Sequence, residues 1–397
     1  MTRSKTWTLT DVRGDVWLDS FAAGTDSLHL PGPHDWSVRK RTLRGGLRDG
    51  VDLIEVHNGA LSFSVLPTRG MGLWRGDYHG NALAWRSPVQ GPVHPKFVQH
   101  GDRGGIGWLA GFDELLCRCG LSSNGPPGED AWTDGHDVKR KETLTLHGRI
   151  ANTPAHLVEV RVGLEAPHEI TVVGEVEEAG LFLPQLRLTA AYTTVPGSNR
   201  VVIHDVVENR SARPLEMQLL YHCNLGPPFL GAGSRILVPL REMAPRTPRA
   251  AEGIDTFETY TGPIAGFAEQ VYLYDPVTDR HGRTLAVLVG PGGDRAVAAR
   301  FATAELPCFT VWKNTGAVEE GYVTGLEPAT GYPNFKGFER QQGRVRTLPP
   351  GGRWEARWSL EVVDDKAGVT ALMAEVARLQ AQTKAVVHRS PQPKFSP

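Results

Sequence analysis

Short apolar runs rich in β-branched and aromatic residues recur along most of the chain, separated by glycine, proline or asparagine. Residues 61–67, 156–162, 169–176, 185–194, 199–207, 270–274, 284–289, 296–301, 308–312 and 353–363 have this character. Runs of this length and punctuation predict strands. Between them the sequence lacks the helical pattern that a βαβ series needs. The fold class is therefore all-β: a large antiparallel β-sandwich with few short helices. One helix is expected over 367–382, where Val369, Leu372, Met373, Val376 and Leu379 recur at helical spacing. A hydrophobic share of 40% is enough for a sizeable core.

No repeat or low-complexity linker divides the chain. Residues 1–50 read as an N-terminal β-ribbon or cover on the main domain, 51–383 as the sandwich, and 384–397 as a frayed C-terminal tail. The stretch 88–137 is poor in strand signal, and long loops inside a compact domain are often functional. We expect it to wall a cleft. Lys plus Arg number 43 against 44 Asp plus Glu, with no basic block, which argues against a nucleic-acid partner. The opening MTRSKTWTLTDV lacks a secretory apolar stretch and nothing approaches a membrane span. A cytoplasmic protein without a membrane partner is the expectation. Cys117, Cys119, Cys223 and Cys308 are too scattered for a disulfide framework. The Cys117-x-Cys119 spacing does not suit a zinc knuckle, so no metal site is expected.

Polar side chains at the ends of three runs are candidates for chemistry. In TLTLHGRI (143–150), strand alternation puts Thr143, Thr145, His147 and Arg149 on one face. In LEMQLLYHCNLG (215–226), Glu216, Gln218 and His222 oppose Leu215, Met217, Leu219 and Tyr221, and Asn224 returns to the His222 face. In GYVTGLEPATGYPN (321–334), Glu327 sits where Pro328 is expected to stop a strand. Histidine suits proton transfer near neutrality. A carboxylate within an otherwise uncharged stretch is seldom buried without a partner or a purpose. Each also has a plainer reading: a histidine capping a core strand, or a glutamate at a solvated rim. Asp113 and Arg118 beside Trp108 and Phe112, together with Arg69, Glu269 with Gln270, and Lys313 beside Trp312, could face a polyhydroxylated ligand. Phosphate loops, dinucleotide fingerprints, G-x-S-x-G elbows and H-E-x-x-H helices do not occur.

The segments LRGGLRDGVDLIEVHNG, LPTRGMGLWR, GWLAGFDELLCRCGL, LHGRIAN, MQLLYHCNLGPP, GFAEQVY, LPCFTVWKN and GYVTGLEPATGYPN span roughly 43–363. Together they resemble the aldose 1-epimerase (galactose mutarotase-like) superfamily, and within it a branch known only as a domain of unknown function. The resemblance implies a β-sandwich with the sugar across one concave face, and a cofactor-independent isomerase. It implies His222 as the acid that protonates the ring oxygen, with Asn224 near the family's asparagine, and Glu327 as the base on the anomeric hydroxyl. HGRIAN resembles a segment of hexose-phosphate epimerases, which implies His147 and Arg149 as substrate contacts, and Glu269 with Gln270 lies roughly where the family has a sugar-binding acidic residue. Tyr221 stands where the characterised enzymes have asparagine. The number of basic candidates leaves an acidic or phosphorylated sugar open as the small-molecule partner. Two rivals remain: an epimerase or isomerase acting at another carbon on the same scaffold, and a non-catalytic carbohydrate-binding protein.

Overall fold

Alternation builds the first of two large sheets. Along Leu186–Thr194 and Arg200–Asn209 every second side chain is buried, which gives each strand one apolar face. In the computed structural model, which describes residues 3–133, 136 and 138–397, these strands lie inside a ten-stranded sheet. Met1 and Thr2 of the leading segment, and Asp134, Gly135 and Asp137 near the end of the expected wall, lie outside the described residues. The apolar face packs on a fourteen-stranded sheet whose central strands run in the order Cys308–Asn314, Val323–Ala329, Leu215–Leu225, Leu116–Leu121. Leu215–Leu225 is buried on both faces beyond its second residue. Met217, Leu219, Tyr221 and Cys223 enter the shared core; Gln218, Leu220, His222 and Asn224 take the opposite face. The architecture is the antiparallel sandwich that the sequence predicts.

The expected helix is Lys366–Gln380, capped by the Asp365 side chain, which accepts from Gly368 N–H at 2.8 Å. Its Val369, Leu372, Val376 and Leu379 cover Leu285 and Val287 on the outer face of the ten-stranded sheet. No helix among the described residues is long and apolar enough to cross a membrane. Strands of the first fifty residues extend both sheets: Ser4–Asp11 pairs with Leu157–Gly163, and Ser37–Thr42 with Asp52–His57. Residues 384–397 do not fray. Val386–Val387 pairs in parallel with Leu240–Pro245, and Phe395 is fully buried with its ring 5.5 Å from Tyr332. A single aromatic near a chain end has no periodicity to read, so this docking is invisible in the sequence.

Arg118 also departs from expectation. Its neighbours Cys117 and Cys119 face the outer side of the sheet, so alternation turns Arg118 into the sandwich, away from any ligand. There it reaches across to Asp205 on the other sheet through hydrogen bonds of 2.5 and 2.7 Å. Its Nη1 also donates to the Tyr192 hydroxyl and the Met71 carbonyl, both at 2.8 Å. Such a pair is stable only because its donors are saturated, since an isolated buried charge is very costly.

Candidate active site

A cavity of about 210 Å³ opens on the fourteen-stranded sheet, on the face that carries His222. Val271, Trp312, Glu327 and His222 form its floor, contributed by four adjacent strands. Trp108, Leu109, Phe112 and Pro126, all from the strand-poor 88–137 stretch, form a wall. Leu146, His147, Arg246, Glu269 and Pro333 complete the lining. Phe112 is central to the aromatic side, with ring centroids 4.6 Å from Trp108 and 6.0 Å from Trp312. Apolar ring faces of this kind suit the C–H faces of a sugar.

His222 and Glu327 meet on this floor. Pairing between Leu215–Leu225 and Val323–Ala329 joins Leu220 to Ala329 and Cys223 to Leu326, and is interrupted between them. The gap falls at Tyr221 and His222 opposite Pro328 and Glu327. Pro328 therefore does not end the strand; it opens the ladder, because it has no N–H to give. His222 Nε2 lies 3.2 Å from Glu327 Oε1. The other ring nitrogen contacts Asn224 Oδ1 at 2.6 Å. Asn224 Nδ2 donates to the Glu114 and His222 carbonyls at 3.0 and 3.1 Å, so Oδ1 is the acceptor and His222 Nδ1 carries the hydrogen. The lone pair of neutral His222 is thus on Nε2, facing Glu327.

Burial sets the charge of this pair. Desolvation, with the nearby His147 adding to it, drives His222 down to about 3. Desolvation, reinforced by Cys119 and Glu269, drives Glu327 well above the usual carboxylate range, against the pull of Arg246. Both shifts favour the uncharged forms, so burial works against an ion pair at this contact. The 3.2 Å approach is not aligned as a hydrogen bond, and among the described residues the buried Glu327 Oε1 has no donor or acceptor. An unsatisfied buried carboxyl oxygen in a cavity is a functional signal.

His147 arrives by a different route from the one alternation predicts. The strand Lys139–Leu144 ends before it, and His147 and Gly148 take φ values of 59° and 68°. Left-handed backbone at two successive residues breaks the period-2 pattern. His147 consequently turns into the cavity, its ring centroid 5.7 Å from that of His222, with Nδ1–H donating to the Asn124 carbonyl at 2.8 Å. Arg149 does not follow it. It is exposed and lines a separate cleft with Glu142, Glu177 and Glu178.

The remaining candidates divide into lining and supporting groups. Trp312 lines the cavity and donates its indole N–H to Glu269 Oε2 at 2.6 Å, which holds the Glu269 side chain at the mouth. Arg69 is buried behind the wall, with Nε on Glu114 at 2.5 Å and Nη2 on the Gly111 carbonyl at 2.8 Å; it fixes the turn Gly107–Gly111 that carries Trp108. Asp113 accepts from Trp74 Nε1 at 3.0 Å, and burial together with Glu114 pushes it up to about 8. Lys313 alternates away from Trp312 and donates to the Phe257 and Thr259 carbonyls at 3.0 and 2.6 Å. Gln270 reaches the Arg249 carbonyl at 3.3 Å instead of the cavity. Arg246 was missed altogether: in MAPRTPR it is one arginine of several in a loop, and nothing local marks it.

A family model described as Domain of unknown function (DUF4432) matches residues 48–362. The chain belongs to the DUF4432 family. Among solved structures, a candidate aldose 1-epimerase from Klebsiella pneumoniae is 36% identical to this DUF4432 chain. The match covers 98% of this chain and 99% of the other, with a TM-score of 0.92. A galactose mutarotase-like protein from Clostridium acetobutylicum, 14% identical, has a TM-score of 0.56 over 82% of this chain and 98% of its own. Galactose 1-epimerase from Lactobacillus acidophilus, 12% identical, has a TM-score of 0.51 over the same shares. These last two share the fold alone. No curated protein matches the chain. The DUF4432 chain thus has the galactose mutarotase-like sandwich that its motifs resemble.

Proposed function

We propose that this chain is a sugar mutarotase or epimerase that interconverts the anomers of an aldose through His222 and Glu327, without a cofactor. Ring opening requires a proton to reach the ring oxygen while another leaves the anomeric hydroxyl. Both oxygens are bonded to one carbon, so the acid and the base must be close neighbours. The 3.2 Å contact between His222 and Glu327 supplies that neighbourhood, and one proton shared between its two basic sites is what the reaction needs. Burial favours that proton on Glu327. For His222 to be the acid, the proton passes to Nε2 as sugar hydroxyls approach, and the Glu327 carboxylate so formed takes the anomeric proton. The open-chain aldehyde rotates about C1–C2 and the reverse steps close either anomer. Asn224 keeps the His222 tautomer in place, and a positioned acid or base contributes typically ~10²–10⁴-fold.

The His222–Glu327 contact facing a cavity walled by aromatics carries this reading. A purely sugar-binding protein has no need of an unsatisfied buried acid beside an imidazole. NMR anomer-exchange rates, measured with neutral, acidic and phosphorylated aldoses, test it: at least one sugar should exchange faster with the protein than without. Binding with no acceleration for any aldose would sink the proposal. Uptake of deuterium from solvent at a carbon atom would move the reaction away from C1, because mutarotation leaves every C–H bond intact.

A further inference from the structure

Arg246 contributes the only Lys or Arg among the described residues that line the cavity. It follows the strand Leu240–Pro245, and its backbone N–H donates to the Val271 carbonyl at 2.9 Å, which anchors it at the sheet. Its half-buried side chain makes one long hydrogen bond, Nε to Asn334 Oδ1 at 3.4 Å. The two terminal nitrogens have no acceptor among the described residues, and no carboxylate forms an ion pair with them. Arg69 and Arg118, the fully buried guanidinium groups, are each held by a carboxylate and by backbone carbonyls. A guanidinium fork left open toward a cavity is a ready bidentate site for a planar anion.

Its place in the sheet sets where that anion sits. The strands run in the order Leu240–Pro245, Gln270–Pro276, Cys308–Asn314, Val323–Ala329. Arg246 and Glu327 are therefore three strand spacings apart, roughly 14 Å of backbone at about 4.8 Å each. Both side chains line the same cavity and Arg246 is near enough to pull on the Glu327 carboxyl, so one small ligand can meet both the fork and the pair. We infer that the substrate is a carboxylated aldose of the hexuronate type, its carboxylate on Arg246 and its anomeric carbon against His222 and Glu327. The inference rests on the mutarotase reading of that pair. Glu269 faces either anion, and a dianionic phosphate brings twice the charge of a carboxylate against the same single guanidinium, inside a cavity of about 210 Å³.

Calorimetric titration and NMR anomer exchange should be run on the same sugars: D-glucuronate, D-galacturonate, D-glucose, D-galactose and D-glucose 6-phosphate. At least one uronate should have a kcat/KM roughly 30-fold or more above its neutral counterpart, the size expected for a charge pair in a desolvated site. Arg246→Gln should collapse that ratio toward one, mainly through KM, and Arg246→Lys should restore part of it. A wild-type ratio near one, tighter binding of the phosphate, or a ratio unchanged in a folded Arg246→Gln protein would each overturn the inference. If Arg246→Gln fails to fold, the wild-type ratio decides alone. Uronate binding that depends on Arg246 but brings no anomer exchange would keep the carboxylate site and end the mutarotase reading. Equal acceleration of neutral sugars and uronates would do the reverse.

Discussion

His222 Nε2 and Glu327 Oε1 lie 3.2 Å apart across two antiparallel strands whose pairing stops at that point. The strands rejoin on either side, at Leu220 with Ala329 and at Cys223 with Leu326, so the sheet itself fixes the distance. Rigid elements hold a reacting pair more closely than loops do. The imidazole is oriented by Asn224, whereas Glu327 Oε1 has no hydrogen-bond partner among the described residues. One member is locked and the other is left available.

Replacing Glu327 by Gln keeps the shape and removes the proton acceptor. Anomer exchange should fall by roughly 10²-fold or more with sugar affinity within a few-fold. His222→Asn should behave alike, and the double variant should cost little beyond the worse single, since groups acting as a unit are not additive. Exchange near the wild-type rate in Glu327→Gln would place the acceptor elsewhere.

The shifts within the pair predict an unusual pH profile. An ordinary histidine would give an acid limb near 6.5, but burial lowers His222 to about 3. kcat/KM should therefore stay flat from neutrality down to about pH 4, where an unperturbed imidazole would already be charged. Stability follows from the same groups with opposite signs. Folding raises the Glu327 pKa, so its contribution is full below an unfolded value of about 4.3 and is lost as pH rises through the folded value. Folding lowers the His222 pKa, so its contribution is lost as pH falls below about 6.5. Glu327→Gln should accordingly have a higher Tm than wild type at pH 7, with the gap closing near pH 4. Thermal unfolding across that range checks the sign.

Gly325 sits beneath the pair with no side chain. An added Cβ would lie 2.6 Å from Glu327 Oε1, 3.1 Å from His222 Cε1 and 3.3 Å from Trp312 Cβ. Gly325→Ala should leave the sandwich folded, because the closest clash is with the movable Glu327 carboxyl end, yet it must displace the pair. Misplacement by about 1 Å can cost on the order of 10²-fold. Exchange kinetics alongside a Tm measurement separate this from unfolding; an unaffected rate would mean that the contact geometry is not limiting.

Asp205→Ala leaves the Arg118 guanidinium buried between the sheets without its countercharge. Denaturant unfolding should show a loss of about 3–5 kcal/mol. A loss below about 1 kcal/mol would mean that Arg118 finds water or another acceptor inside the sandwich.

The amino-acid sequence by itself determined the sandwich. Strand alternation and turn residues act over a few neighbours, so runs such as 199–207 and 353–363 reappear as Arg200–Asn209 and Arg353–Val363. The same local rule put His222 and Asn224 on one face and marked 88–137 as wall material. It failed wherever the decisive contact was distant or the backbone left the β region. Positive φ at His147 and Gly148 sent His147 into the cavity and Arg149 out of it. Arg118 and Lys313, attractive as ligand contacts, alternate away from the cavity to Asp205 and to a loop's carbonyls. Only the tertiary structure decided that His222 faces Glu327, that both are driven toward their neutral forms, and that Arg246 opens onto the same cavity. Those properties depend on cross-strand register and on burial, and both are produced by residues far apart in the chain.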